Sequence, residues 1–424
     1  MKAHSTARPL NETTPRPAFL PSRTHSTSPP EGSQPRDVVA FVDSAIEKAW
    51  AEGSSDIHLE STRSGLLLKF RLDGVMQMGE ALEGVQLAAE MVSRIKVMAQ
   101  LDITERRKPQ DGRIRWTPRA LDIRVSVMPS LFGEDVVLRL LDKSQLRQTG
   151  QEQLSLQGLG FAQVQMNKIR ALGGRPHGML LITGPTGSGK TTTAYAALSE
   201  VNDGLEKIVT IEDPVEYELP GTLQIPVNEK KGLSFATGLR SILRHDPDKI
   251  LVGEIRDAET AQIAVQSALT GHLVFTTVHA NSLTDVLGRF QHLGIDPFAL
   301  ASALNGVVVQ RLMRRLCPHC AGRRAPTAQE LAWMQAQGLV LDAVPQAVSC
   351  SECKGRGYTG RFVVAQVHVL GPALRDAIVA RSSITDILHL LRELGEQSLV
   401  EQALGKVGEG LTTLEEIGRV IGFD

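Results

Sequence analysis

The residues Gly184-Pro185-Thr186-Gly187-Ser188-Gly189-Lys190-Thr191 follow the pattern GxxxxGK[ST]. They stand directly after the apolar run 179–183 and before a helical run, 190–200, which is the strand–loop–helix context the pattern requires. Glycines let backbone N–H groups turn inward around phosphate oxygens, the helix N-terminus adds about half a positive charge, and Lys190 reaches the terminal phosphates. Thr191 is the Mg²⁺ ligand of such a loop, and Thr192 continues its first helical turn. The chemistry is nucleotide binding, with a glycine-rich turn that holds no nucleotide as the alternative.

Two acidic clusters follow other apolar runs. Ile208-Val209-Thr210-Ile211 delivers Glu212 and Asp213, with Glu216 close behind, and Ile250-Leu251-Val252 delivers Gly253 and Glu254. Acids at neighbouring strand ends can divide two tasks, one orienting an attacking water and the other holding metal-bound water. The division favoured is Glu254 for the water and Glu212 for the metal, through water; ordinary helix capping by Asp213 or Glu254 is the bland alternative. A further run, 273–278, has His272 before it and His279 after it. Seven residues apart, they fall on opposite faces of a regular strand, so they do not share one metal. Each is either a sensor of the γ-phosphate or a satisfied structural histidine.

All four cysteines lie in two CxxC pairs, Cys317 with Cys320 and Cys350 with Cys353, separated by 29 residues. Four thiolates make a closed, structural tetrahedral zinc site, since catalytic zinc keeps an open position. Reduced free thiols and a redox dithiol are the alternatives. Residues 102–124 carry seven basic side chains against four acidic ones, Arg113 and Arg124 among them. A solvated face, a phosphate-contacting arginine offered to a neighbouring subunit, or a nucleic-acid patch would each explain this.

Elements must position these groups. The chain has 424 residues, 42% hydrophobic and 22% charged, enough for two or three domains. Its formal charge of −1 gives no global field favouring nucleic acid or an acidic membrane. No apolar run reaches the roughly 18 residues that span a bilayer, and no signal-peptide stretch opens the chain, so a cytoplasmic location is expected. Residues 1–36, with seven Pro, read as a disordered tail. Val38, Val39, Val42, Ala45, Ile46 and Ala49 have helical spacing; a hairpin region follows at 57–59 and 66–72 with an Asp73-Gly74 turn. A helix at 85–99 and strands near 121–127 and 135–141 complete a small α+β domain, assigned to residues 37–145. Residues 142–157 are polar and rich in Gln, and 146–157 are taken as the linker. In 158–424, apolar runs at 179–183, 208–211, 250–252 and 273–278 alternate with helical patterns, the form of a mostly parallel sheet covered by helices. The cysteine subdomain is set at 315–362, with a helix at 328–337 inside it, and C-terminal helices occupy 372–424.

Taken together these motifs resemble the secretion ATPase family of type II secretion and type IV pilus assembly. The likeness runs from about Asp37 to the C-terminus. Ser54-Ser55-Asp56-Ile57-His58-Leu59-Glu60, Phe70-Arg71-Leu72-Asp73-Gly74 and Pro109-Gln110-Asp111-Gly112-Arg113 look like its N-terminal half. Thr210 to Glu216 resembles its Asp box, Gly253-Glu254-Ile255-Arg256-Asp257 its atypical Walker B, and Gly271 to His279 its His box. The resemblance implies an α/β fold: a RecA-like P-loop ATPase domain preceded by a smaller PAS-like α+β domain, with an inserted zinc-binding subdomain. It also implies ATP, Mg²⁺ and structural Zn²⁺, a homo-hexamer, and an inner-membrane platform protein as partner at the inner face of the cytoplasmic membrane. Arg113 and Arg124 would reach nucleotide held by the larger domain, and His272 and His279 would act at the same site. An arginine donated in trans is worth about 10³–10⁵ in rate, which makes assembly a switch for turnover.

The two CxxC pairs favour secretion or assembly members over retraction motors. Where many relatives begin with a further docking domain, residues 1–36 are read here as tail. Ala365-Gln366 stand where the family usually has Tyr-Glu, and Ala280 replaces a common Thr. Two other classes stay in play: a nucleic-acid remodelling RecA-like ATPase with a zinc module, disfavoured by three Trp and three Tyr for base stacking, and a non-hydrolysing, nucleotide-dependent assembly regulator.

Overall fold

The computed structural model describes residues 37–119, 121–141 and 154–423. The expected tail, 1–36, and residues 146–153 of the expected linker lie outside them. No helix among the described residues is long and apolar enough to cross a membrane.

The first part of the chain builds a six-stranded sheet from β1 (Ser54–Ser61), β2 (Gly65–Leu72), β3 (Val75–Glu83), β4 (Gln110–Trp116), β5 (Leu121–Ser130) and β6 (Gly133–Leu141), in the order β3-β2-β1-β6-β5-β4. The helix Val38–Glu52 opens on Asp37, whose carboxylate accepts the N–H groups of Val39 and Ala40, and stops at left-handed Gly53. Such a cap contributes about 1 kcal/mol. Ile46, Ala49, Met91 and Ile95 from the helices Val38–Glu52 and Val85–Met98 pack on one face of the sheet. Alternation then sends Leu121, Ile123, Val125 and Val127 of β5 into this core, leaving Asp122, Arg124 and Ser126 for the opposite face. The hairpin expectation needs extension here: Asp73-Gly74, both at positive φ, turns β2 into a third strand, β3.

The larger sheet contains β7 (Gly178–Thr183), β8 (Ile208–Glu212), β9 (Thr222–Pro226), β10 (Lys249–Val252), β11 (Leu273–Val278) and β12 (Leu304–Leu316). A two-stranded ribbon of β13 (Gly322–Arg324) and β14 (Val344–Gln346) follows, and β15 (Tyr358–Val369) returns to the sheet. The order is β15-β12-β7-β11-β10-β8-β9, parallel throughout except where β15 runs against β12. All six residues of β7 are buried. Met179 and Leu181 enter the core on one side of the sheet, and Leu180 and Ile182 the core on the other. A strand with both faces covered must be apolar throughout, which is why its sequence is a continuous run. Parallel register also sets Thr183, Ile211, Val252 and Val278 at one edge of the sheet. The phosphate loop, Glu212, Glu254 and His279 all leave from that edge.

Candidate nucleotide site

The phosphate loop leaves β7 through Gly184 and enters the helix Lys190–Val201 at Gly189. Gly184, Gly187 and Gly189 all have positive φ. At Gly184 a Cβ would also stand 2.4 Å from the carbonyl oxygen of Gln310, so no side chain fits. The Gln310 amide, wholly buried on β12, donates to the Ser188 carbonyl at 2.6 Å and braces the loop from behind. Lys190 Nζ donates to the carbonyls of Gly184 and Pro185 at 3.0 and 3.2 Å. Burial holds this ammonium below its ordinary pKa, with Glu254 acting against the shift.

Glu212 ends β8 and is 2% exposed. Its Oε1 accepts from Thr210 Oγ1 at 2.6 Å and Gln224 Nε2 at 3.3 Å, and its Oε2 accepts from the Tyr195 hydroxyl. Glu254 follows β10 by two residues. Gly253 between them hydrogen-bonds Ile211 across the sheet, and a Cβ there would lie 3.2 Å from the Ile211 carbonyl oxygen. Glu254 faces the cavity with Arg256 beside it and His279 Nε2 at 3.5 Å. His279 Nδ1 lies 3.4 Å from Lys190 Nζ. Burial first, and then the charge of Lys190, hold His279 below its ordinary pKa of 6.5. It is therefore neutral at pH 7, and the geometry requires Nδ1 to accept from Lys190 and Nε2–H to point at Glu254.

These groups line a cavity of about 570 Å³ that both sheets close, within the size range of small-ligand sites. From the larger sheet come Thr186, Lys190, Thr191, Thr192, Glu212, Glu254, His279 and Arg361; from the smaller come Arg124 and Arg139. Arg124 donates to Glu216 Oε2 at 3.1 Å. The smaller sheet delivers its arginines as a row. Arg113 stands opposite Arg124, Arg124 opposite Arg139, Arg139 opposite Asp56, and Asp56 opposite Arg71. Direct cross-strand partners share a face, so four guanidiniums and one carboxylate cross five strands on the face away from the helices. Arg139 Nε donates to Asp56 at 2.8 Å.

Two expectations change here. Arg113 lines an adjoining groove of about 560 Å³, which it shares with Arg124, Arg139 and Asp213, and not the main cavity. His272 lies at the far end of β11, where its Nδ1 is 3.1 Å from the Ser267 carbonyl oxygen, and it does not line the cavity. Seven steps at about 3.3 Å separate it from His279. Arg124 pairs with Glu216 of its own chain, and both line the main cavity.

Arg139, Arg361 and Tyr195 were not singled out from sequence. Arg139 lies 15 residues beyond Arg124, and only the strand register shows them to be neighbours. For Arg361 the signal is its place just past the second CxxC.

The cysteine sulfurs converge. All four lie within 4.8 Å of one another, with Cys317–Cys350, Cys320–Cys353 and Cys350–Cys353 at 3.8, 3.7 and 3.6 Å. A tetrahedron with Zn–S bonds of about 2.3 Å has edges of about 3.8 Å, whereas a disulfide needs about 2.05 Å. Burial opposes ionisation, yet the N–H groups of Cys350 and Gly357 draw the Cys353 thiol down to about 6. The four residues fit a zinc ion. For Mg²⁺, the Thr191 hydroxyl and the two carboxylates supply the hard oxygen donors it prefers.

A mostly parallel sheet with its phosphate loop after a central strand, acids after the neighbouring strands and a second domain over the cavity defines a two-domain P-loop ATPase of the RecA type. The chain belongs to the Type II/IV secretion system protein family, whose sequence profile matches residues 31–419. It is 46% identical over 386 residues to the type II secretion system protein E of Aeromonas hydrophila, covering 90% of this chain and 75% of that one. To the type II secretion system ATPase E of Vibrio cholerae it is 42% identical over 393 residues, with coverages of 92% and 76%. Among solved structures, the Legionella pneumophila ATPase DotB has the same fold at 19% identity and a TM-score of 0.63, covering 91% of this chain and 96% of that one. The pilus retraction motor PilT, solved with ADP, has it at 24% identity and a TM-score of 0.57, with coverages of 88% and 94%.

Proposed function

We propose that the chain is a cytoplasmic, Mg²⁺-dependent ATPase motor that drives assembly of a pseudopilus or pilus in a type II secretion or type IV pilus system. The observation that carries this reading is the single cavity at which Lys190, Glu254 and His279 of one sheet meet Arg124 and Arg139 of the other. Identity of about 45% with type II secretion proteins favours secretion. The domain division taken with it is 37–145, 146–157 and 158–424, with zinc in 315–362. A homo-hexamer at the inner face of the cytoplasmic membrane, docked on a platform protein, is the assembly proposed.

In this mechanism the loop N–H groups and Lys190 bind the β- and γ-phosphates. Mg²⁺, held by Thr191 and through water by Glu212, would supply charge neutralisation at those oxygens. Glu254 orients a water and takes its proton as the water oxygen bonds to the γ-phosphorus. The bond from that phosphorus to the bridging oxygen breaks, and ADP leaves with the electron pair. Arg124 and Arg139 balance charge gathering on the transferred group, which is where preorganised cations act most strongly. Because they stand on the other sheet, a change of charge at the nucleotide becomes a force between the two domains.

Phosphate release by the full chain, against Lys190→Ala and Glu254→Gln, tests this. Turnover lost in both variants is expected. A parent that binds ATP tightly yet releases no phosphate would make it a regulator instead. Turnover stimulated by single-stranded DNA, with steeply salt-dependent binding, would make it a nucleic-acid remodeller.

A further inference from the structure

Tyr195 lies on the same helix as Lys190 and Thr191 and is completely buried. Its hydroxyl donates to Glu212 Oε2 and accepts the backbone N–H of Glu216 at 3.4 Å. Its ring meets that of Tyr217 edge-on, with centroids 4.5 Å apart. Among the described residues Thr210 and Gln224 both donate to Oε1 of Glu212, while Tyr195 is the side chain that donates to Oε2. Without that bond the carboxylate is tethered by one oxygen and can turn about it. The contact continues outward, since Glu216 is the acceptor for Arg124 of the smaller sheet.

We propose that Tyr195 is a positioning residue for hydrolysis: its hydroxyl holds the Glu212 carboxylate and the Glu216 backbone in register with the phosphate-binding helix. Through these bonds the phosphate-binding helix, Glu212 and the Arg124 contact are joined. The inference rests on reading Glu212 as part of the hydrolytic site. A tyrosine that only fills the core would act through stability, whereas a positioning hydroxyl acts through one carboxylate. Tyr195→Phe separates the two, because it keeps the ring and its packing and removes one oxygen.

The experiment uses the full chain, Tyr195→Phe, Glu212→Gln and the double variant. It measures ATP turnover, affinity for a fluorescent ATP analogue with and without Mg²⁺, and the thermal unfolding midpoint. A lost hydrogen bond to a charged group predicts a kcat about ten- to hundredfold lower, with KM and metal-free nucleotide affinity within about twofold. The Mg²⁺ concentration for half-maximal tight binding should rise several-fold, and in the Glu212→Gln background the tyrosine change should add nothing. The inference is overturned by a kcat within twofold of the parent. It is equally overturned if affinity, midpoint and turnover fall together and by the same factor with or without Glu212. Should the parent release no phosphate, the proposed activity fails by itself; the Mg²⁺ titration still decides, with a raised requirement supporting the role of Tyr195 and an unchanged one ending it.

Discussion

Arg124, from the smaller sheet, donates to Glu216, from the larger, across 3.1 Å within a single chain. Both line the cavity that holds Lys190, the placement an arginine acting in cis would need. Arg124→Ala should lower kcat by about 10²–10³, the range for losing one preorganised donor to developing charge. Mixing Arg124→Ala protein with Lys190→Ala protein discriminates cis from trans. No activity should return on mixing; recovery approaching one quarter of parental turnover would mean that neighbouring chains exchange arginines.

Glu254 and Glu212 should separate in the same assay. Glu254 is partly exposed to the cavity, whereas Glu212 is buried with both oxygens engaged. Glu254→Gln is expected to cut kcat by about 10²–10⁴, the contribution of a positioned base, while ATP affinity stays within about threefold. Glu212→Gln is expected to lower kcat as well but, unlike Glu254→Gln, to raise the Mg²⁺ requirement. The reverse pattern would exchange their roles.

A pH dependence follows from His279. Folding disfavours its proton, because burial and Lys190 lower its pKa. As pH falls, the unfolded chain, with imidazole near 6.5, takes up that proton before the folded chain does. The stability His279 leaves in place is therefore full above pH 6.5, declines as pH drops through 6.5, and levels off below the folded pKa. Turnover should fall at the lower end of this window, when Nδ1 gains a proton and can no longer accept from Lys190. In His279→Gln the acid limb of kcat against pH should lose that component; an unchanged limb would assign it to another group.

Metal analysis should find one zinc per chain. Binding in small zinc modules supplies about 10–16 kcal/mol, so stripping the ion should unfold the segment around the helix Ala328–Ala336 and leave the seven-stranded sheet intact. Limited proteolysis of chelated protein, and of Cys353→Ser, should cut within residues 321–349. Zinc-free protein that resists cleavage there would refute a structural ion.

Much of the larger sheet was legible because strands covered on both faces must be apolar runs, and the phosphate loop names its own context. The edges were not. β4 buries only Ile114 and most of β3 is exposed or half-buried, so neither carries a clear alternation. β12 and β15 are long and apolar, but the cysteine segment separates them in sequence and hides their pairing. The arginine row was half visible: Arg113 and Arg124 stand out in a basic stretch, whereas Arg139 becomes their neighbour only through the ladder of β5 and β6. The run 273–278 already set His272 and His279 at opposite ends of one strand; the parallel register of β11 with β7 puts the His279 end beside the phosphate loop.

The cysteine segment leaves the larger sheet after Leu316 and re-enters it at Tyr358, and these two residues face each other in the antiparallel ladder. Topologically the whole of 317–357 is therefore the loop of a hairpin, however much structure it contains. A tight turn joining Leu316 to Tyr358 would leave every other strand partner within the seven-stranded sheet unchanged. The segment behaves as a cassette: it can be gained, lost or exchanged in one genetic event without rethreading the chain, and a tag or reporter domain inserted within it would ride on the ATPase without interrupting its sheet.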